Sequence, residues 1–234
     1  PEAVVALLNR YLELQTEAIH AAGGEVDKFV GDEVMAMFEG PDRELKACRA
    51  GLAIRKAMAE ERERARAESQ AEISIGIGIN SGPVVFGSVG ARERMDFTSI
   101  GDTVNLAARL EGANKTYGTK SLVTEAVKEK VEDTILLREI DLLTVKGKTK
   151  PARIYELIQE RSGSSAKLER LKSGFEAGLA AYRARRWAQA EKAFAALVKE
   201  YGDEPSAVFL RRVELFKASP PPADWDGVFA MKVK

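Results

Sequence analysis

The chain has 234 residues, room for one large domain or two small ones, with 45% apolar and 31% charged residues, as in a water-soluble globular protein. Lys+Arg and Asp+Glu each total 36, so there is no basic excess of the kind a general nucleic-acid binder carries. One cysteine, Cys48, excludes an internal disulfide and suits a reducing compartment, and one histidine, His20, argues against a histidine triad or a histidine-rich metal site.

No apolar run reaches transmembrane length and no signal peptide is visible. The abrupt start at Pro1-Glu2 reads as a piece of something longer. Residues 2–21 carry Val4, Leu7, Leu8, Tyr11, Leu12, Leu14, Ala18 and Ile19 at helical spacing, stopped by Gly23-Gly24. Residues 25–38 are two apolar strands around a Gly31-Asp32 turn. That places one carboxylate, Asp32, at a hairpin tip and one lysine, Lys28, four residues before it. Gly40-Pro41-Asp42 opens a long helix over 43–67, which places Cys48 on an amphipathic face as a small core residue. Residues 71–80 alternate Ile73, Ile75, Ile77 and Ile79 with Ser74, Gly76, Gly78 and Asn80, a strand with one buried face.

Ser81-Gly82 turns into an apolar strand over 83–89, followed by an extended segment over 95–100. A helix then runs to about residue 116, with Asp102 or Thr103 at its cap. Strands are expected near 134–146 and 151–158. Counting a strand before residue 1, the order makes a βαββαβ unit, an α+β, ferredoxin-like arrangement with helices on one face of a mainly antiparallel sheet. Arg161–Ser165 reads as a linker. Beyond it, Phe175, Gly178, Tyr182, Trp187, Ala190, Phe194 and Pro205 follow a helix–turn–helix repeat of the tetratricopeptide type. A third helix over 206–217 and a Pro220–Pro222 tail close the chain. The division is therefore residues 1–160 and an all-α module over 166–234, a module too small to stand as a free solenoid.

Four features could carry chemistry: Lys28, Asp32, the stretch from Thr98 to Arg109, and the basic turn Val145-Lys146-Gly147-Lys148. Asn105 and Arg109 are four apart and share one helical face. An amide and a guanidinium near a helix start can hold ribose and phosphate oxygens. Each feature alone also reads as a solvated strand residue, a turn chosen for its backbone, or surface charge. Their combination and order do not.

The combination resembles the class III nucleotidyl cyclase catalytic domain, the adenylyl and guanylyl cyclase family. The resemblance rests on Asp27-Lys-Phe-Val-Gly-Asp-Glu-Val-Met-Ala36, Ile77-Gly-Ile-Asn-Ser-Gly-Pro-Val-Val85, Ile100-Gly-Asp-Thr-Val-Asn-Leu-Ala-Ala-Arg-Leu110 and Val145-Lys-Gly-Lys148, and covers about residues 1–158. More loosely, the helical tail with Pro-Pro-Pro-Ala-Asp-Trp-Asp-Gly-Val-Phe resembles the extension of bacterial cyclases that carry a sensor and membrane helices upstream. That would make this a cytoplasmic domain of a membrane-anchored protein.

The resemblance implies an adenylate cyclase that uses two divalent metal ions, Mg²⁺ or Mn²⁺, and acts as a homodimer on ATP, with no nucleic-acid partner. Asp32 matches the second of two metal-binding aspartates. The first belongs to an opening strand that these residues do not include. Lys28 and Thr98 match the pair that reads adenine, Asn105 the ribose-orienting asparagine, Arg109 the transition-state arginine and Lys146 the lysine on the terminal phosphates. Dimers of the family place these residues at the interface, Asp32 from one chain facing the rest from the other. The alternatives are a guanylate cyclase, which typically has Glu and Cys where Lys28 and Thr98 stand, and a catalytically incomplete dimerisation or regulatory module. A diguanylate cyclase is disfavoured because the hairpin reads Val30-Gly-Asp-Glu-Val34.

Overall fold

The computed structural model describes residues 2–91, 94–144 and 151–229. Helix α1 (Glu2–Ala21) leads into the hairpin β1 (Glu25–Val30) and β2 (Glu33–Met37), then α2 (Arg43–Ala67). Strands β3 (Ile77–Ile79), β4 (Val85–Ala91) and β5 (Arg94–Ile100) precede α3 (Asp102–Tyr117), and β6 (Ser121–Thr124), α4 (Glu125–Val131), β7 (Ile135–Leu143) and β8 (Ala152–Glu160) follow it. Three helices complete the chain: α5 (Ala166–Arg183), α6 (Trp187–Tyr201) and α7 (Glu204–Ala218). None of the helices is long and apolar enough to cross a membrane among the described residues.

The fold is α+β, but the described strands form three separate sheets where the sequence predicts one. They are β1–β2, β4–β5 and a four-stranded sheet in the order β3-β6-β8-β7. Strand β3 pairs with β6 in parallel, and the other pairs are antiparallel. The strand expected over 71–80 is paired only from Ile77, because its neighbour β6 begins at Ser121, directly opposite. Ile73 and Ile75 still pack, with Ile77, against the core of α1 and α2 built on Tyr11, Ile19, Ile54 and Met58, so the alternation marked burial correctly.

Strand β6 and helix α4 are absent from the sequence reading. All four residues of β6 are buried, so it lacks the alternation of a half-exposed strand, and α4 spans only seven residues, too few for a helical period to show. Helix α7 starts earlier than expected, at Glu204, since Asp203 caps it and accepts from Ser206 N at 3.0 Å. Cys48 is fully buried beside Val123, Val127 and Leu157. Burial, with a smaller contribution from the Glu44 charge, pushes its thiol up to about 12.

Helices α5–α7 share one continuous core with the sheet and with α3. Phe175, Tyr182, Phe194 and Phe209 pack with Leu110, Tyr117, Leu122, Ile140 and Ile154. Two buried ionic clusters cross the same seam. Arg138 on β7 donates from Nε to Glu156 at 2.7 Å and from Nη2 to Asp203 at 2.8 Å. Asp141 on β7 is fully buried and accepts from Tyr117 Oη of α3 at 2.9 Å and from Arg212 Nη1 of α7 at 2.6 Å. The Arg212 guanidinium also lies over the rings of Tyr117 and Phe209.

Two outcomes follow from these packings. A thiol-specific reagent should label Cys48 in urea and leave it unlabelled in buffer, since only the thiolate reacts. Arg212→Met should lower the unfolding free energy by about 3–5 kcal/mol in a urea titration, because it strands Asp141 in the core. Adding Asp141→Leu should recover part of that loss.

Candidate functional site

The hairpin presents the first group of candidate residues. Val30 pairs with Glu33, which leaves Gly31-Asp32 as a two-residue loop. Gly31 takes φ +65° there, a conformation that favours glycine, and Asp32 stands exposed at the tip. The ladder carries a bulge: Val26 pairs with Ala36 and Lys28 with Met35, so Asp27 is an extra residue without a partner. A bulge breaks the strict alternation of side chains and re-aims them. Here Asp27 Oδ2 accepts from Thr98 Oγ1 of β5 at 3.0 Å. Lys28 and Thr98 are thereby brought to adjoining strands, Lys28 half-buried and Thr98 only 7% exposed.

Helix α3 presents the second group. Asn105 and Arg109 stand one turn apart and both are exposed. The helix under them is held at three levels. Asn80 Nδ2 donates to Thr103 O at 3.0 Å near the start, and Asn114 Nδ2 donates to Ile77 O at 3.0 Å further along. Tyr117 Oη reaches Asp141 at the end. Between these ties α3 lies almost on the backbone of the strand segment below it. A Cβ on Gly78 would stand 2.1 Å from Ala107 O and 2.5 Å from Glu111 N. Glycine is required there because the nearest atoms are backbone and cannot step aside.

Among the described residues, no hydrogen bond or ion pair links the side chains of Lys28, Asp32, Asn105 and Arg109 to one another. Lys146 lies outside the described residues. Glu111 on α3 has its carboxyl pushed above the ordinary range, first by burial and then by the charges of Glu33 and Asp32. The hairpin tip and α3 therefore share an acidic neighbourhood. Among the described residues no group of three or more His, Cys, Asp or Glu side chains is disposed to hold a metal ion. Asp32 alone fits the way Mg²⁺ is often held, by one or two carboxylates with water and substrate phosphate completing the shell.

Three residues that matter to this geometry are given no role of their own in the sequence reading: Asp27, Gly78 and Asn114. Asp27 was hidden because strict alternation puts neighbours on opposite faces, and only pairing reveals a bulge. Asn114 had a faint signal, as a polar residue amid the apolar positions of α3.

The family described as Adenylate and Guanylate cyclase catalytic domain matches residues 1–159, and the chain belongs to it. Adenylate cyclase 1 of Rhizobium meliloti is 39% identical over 162 residues, covering 68% of this chain and 24% of that protein. The terminal-differentiation-specific adenylate cyclase of Dictyostelium discoideum is 32% identical over 215 residues, covering 89% of this chain and 10% of that protein. The chain thus spans a quarter or less of the length of these relatives. The crystal structure of the adenylyl cyclase CyaB from P. aeruginosa superposes with a TM-score of 0.61 at 35% identity, covering 70% of this chain and 87% of that one.

The seat of α3 can be probed with two glycines. Gly78→Ala should destabilise the protein by about 1–3 kcal/mol or more through overpacking. Gly112→Ala, on the open face of the same helix with no atom within 4 Å, should stabilise it by roughly 0.5–1 kcal/mol. Thermal or urea unfolding of the two variants distinguishes a helix pressed on its strand from one loosely apposed.

Proposed function

We propose that this domain is an adenylate cyclase, converting ATP to 3′,5′-cyclic AMP and pyrophosphate at sites shared between two copies of the chain. The observation that carries this reading is the Thr98–Asp27 hydrogen bond, which ties β5 to the residue next to Lys28 in β1. A lysine can donate to a ring nitrogen of adenine, and a threonine hydroxyl can accept from its amino group. Guanine offers a protonated N1 and a carbonyl at the same edge, so the lysine would face a donor. That favours ATP over GTP as substrate.

The reaction is attack of the ribose 3′-oxygen on the α-phosphorus. The new ester bond closes the ring as the bond to pyrophosphate breaks, and the hydroxyl proton leaves to solvent. Asn105 would orient the ribose. Arg109, exposed and without an ion pair among the described residues, would stabilise charge growing on the α-phosphoryl oxygens, a role worth roughly 2.7–4 kcal/mol by comparison with a lost oxyanion donor. Lys146 would grip the terminal phosphates. Asp32 would hold divalent metal, Mg²⁺ or Mn²⁺, two ions per site. When bound, such ions lower the pKa of the 3′-hydroxyl and neutralise phosphate charge.

Sharing across a homodimer is supported by an exposed apolar surface on the hairpin and the β4–β5 ladder. Phe29, Val30, Val84, Val85 and Ile100 are each 41–73% exposed, more apolar surface in one region than a monomer usually shows. In this reading residues 1–160 are the catalytic unit and residues 166–234 a helical, tetratricopeptide-like module. The whole belongs to a membrane-anchored protein with its sensor upstream and this part in the cytoplasm.

The test is cyclic AMP formation from ATP by the full-length protein with Mg²⁺ or Mn²⁺. Arg109→Ala should lower kcat by about 10²–10³-fold. Mixing Asp32→Ala chains with Arg109→Ala chains, each inactive alone, should restore part of the activity, because one composite site in each mixed dimer is intact. No product from the full-length protein would refute the enzyme and leave the reading of a dimerisation or regulatory module. Product without restoration would refute the shared site alone.

A further inference from the structure

A threonine is an ambiguous reader of bases. Its hydroxyl carries one proton and two acceptor lone pairs, and it rotates to suit its neighbour. Free to turn, Thr98 could accept from the amino group of adenine or donate to the carbonyl of guanine. Selection therefore needs something that decides which way the hydroxyl points.

The structure supplies it. Thr98 Oγ1 has two hydrogen-bond partners among the described residues, Asp27 Oδ2 at 3.0 Å and Ser99 O at 3.5 Å. A carboxylate and a carbonyl can only accept, so both draw the single hydroxyl proton and leave the lone pairs for an incoming donor. The carboxylate is there because of the bulge. Asp27 is the unpaired residue between Val26 and Lys28, and this lets its side chain reach β5 while Lys28 keeps its own place in the ladder. Opposite Thr98 in register stands Gly87, with no atom among the described residues within 4 Å of where a Cβ would lie. Directly opposed residues of an antiparallel pair share a face, so no side chain from the facing position covers the threonine.

We propose that Asp27 is a positioning residue for base selection: it holds the Thr98 hydroxyl as an acceptor, so the pocket admits the amino edge of adenine and opposes the carbonyl edge of guanine. The inference rests on the reading of this site as one for ATP and adds the residue that makes its threonine selective. Lys28 and Thr98 alone do not reject guanine through the threonine. The carboxylate behind it does, by setting lone pair against lone pair, a repulsive element of the kind specificity often needs.

The experiment compares ATP with GTP on the full-length protein and its Asp27→Ala, Asp27→Asn, Thr98→Val and Asp27→Ala/Thr98→Val variants. Two ratios are read: kcat/KM for GTP over ATP, and relative affinity from competition of each nucleotide against a fluorescent nucleotide at equilibrium. Asp27→Ala frees the hydroxyl to donate, and both ratios should move toward GTP by roughly ten-fold, the worth of one hydrogen bond. In the Thr98→Val background the same change should move neither ratio, since there is no proton left to direct. Equal loss for both nucleotides, or ratios unaltered by Asp27→Ala, overturns the proposal and assigns Asp27 to the hairpin's structure. Should the alanine variant not fold, the isosteric Asp27→Asn carries the comparison, with a smaller shift expected because the amide oxygen can still accept. A protein that binds ATP selectively but keeps that selectivity without Asp27 defeats this inference only. One that binds neither nucleotide defeats the ATP reading beneath it.

Discussion

Asp141 is the constraint around which the two halves of the chain are arranged. A carboxylate with no solvent exposure must be paired or the core that holds it is not stable. Its partners come from two distant stretches: Tyr117 at the end of α3 and Arg212 in the middle of α7. Burial and the Asp141 charge both push the Tyr117 hydroxyl up, which keeps it protonated as a donor. A few ångströms along the same seam, Gly118 closes α3 with φ +68°, and a Cβ there would stand 2.6 Å from Glu204 Cβ at the start of α7. The helix proposed to carry Asn105 and Arg109 is thus fastened at its far end to the C-terminal helices.

That fastening gives α3 its character as a platform. One side is pressed against Gly76 and Gly78 of the strand segment below, and its two ends are tied by side-chain hydrogen bonds. On the remaining face Asn105 and Arg109 stand exposed, with no side-chain hydrogen bond or ion pair among the described residues. Rigidity beneath and free polar groups above are what a site needs if it is to stabilise charge without reorganising. The hairpin shows the same division, with Val26, Val34 and Ala36 packed on the core of α1 and α2 and Phe29, Val30 and Asp32 turned outward. Rigid supports of this kind suit the composite site proposed above, in which each patch would face a different patch of a second copy.

Much of this is legible in the sequence. The 3.6-residue period of α1 and α2, the two-residue Gly31-Asp32 loop and the alternation of Ile73, Ile75 and Ile77 are local patterns that survive tertiary packing. The site candidates were legible because motifs place Lys28, Asp32, Thr98, Asn105 and Arg109 at set distances along the chain. What escaped was either short or non-local. The strand β6 is buried at all four positions and gives no period. The capping of α7 by Asp203 was overlooked although its signal is local. The Arg138 and Asp141 clusters join residues more than sixty positions apart, and no sequence spacing encodes that.

The sequence by itself determined the fold class, the family and which side chains are the chemical candidates, because these depend on periodicity and on motifs within a few residues of one another. Only the tertiary structure decided that the described strands form three sheets and that the C-terminal helices share a core with α3. It alone decided that Asp27, the neighbour of Lys28, accepts a hydrogen bond from Thr98. A bulge, a buried ion pair and a helix resting on glycine each come from the pairing of distant segments, and the energy of such pairing resides in contacts that a linear reading does not contain.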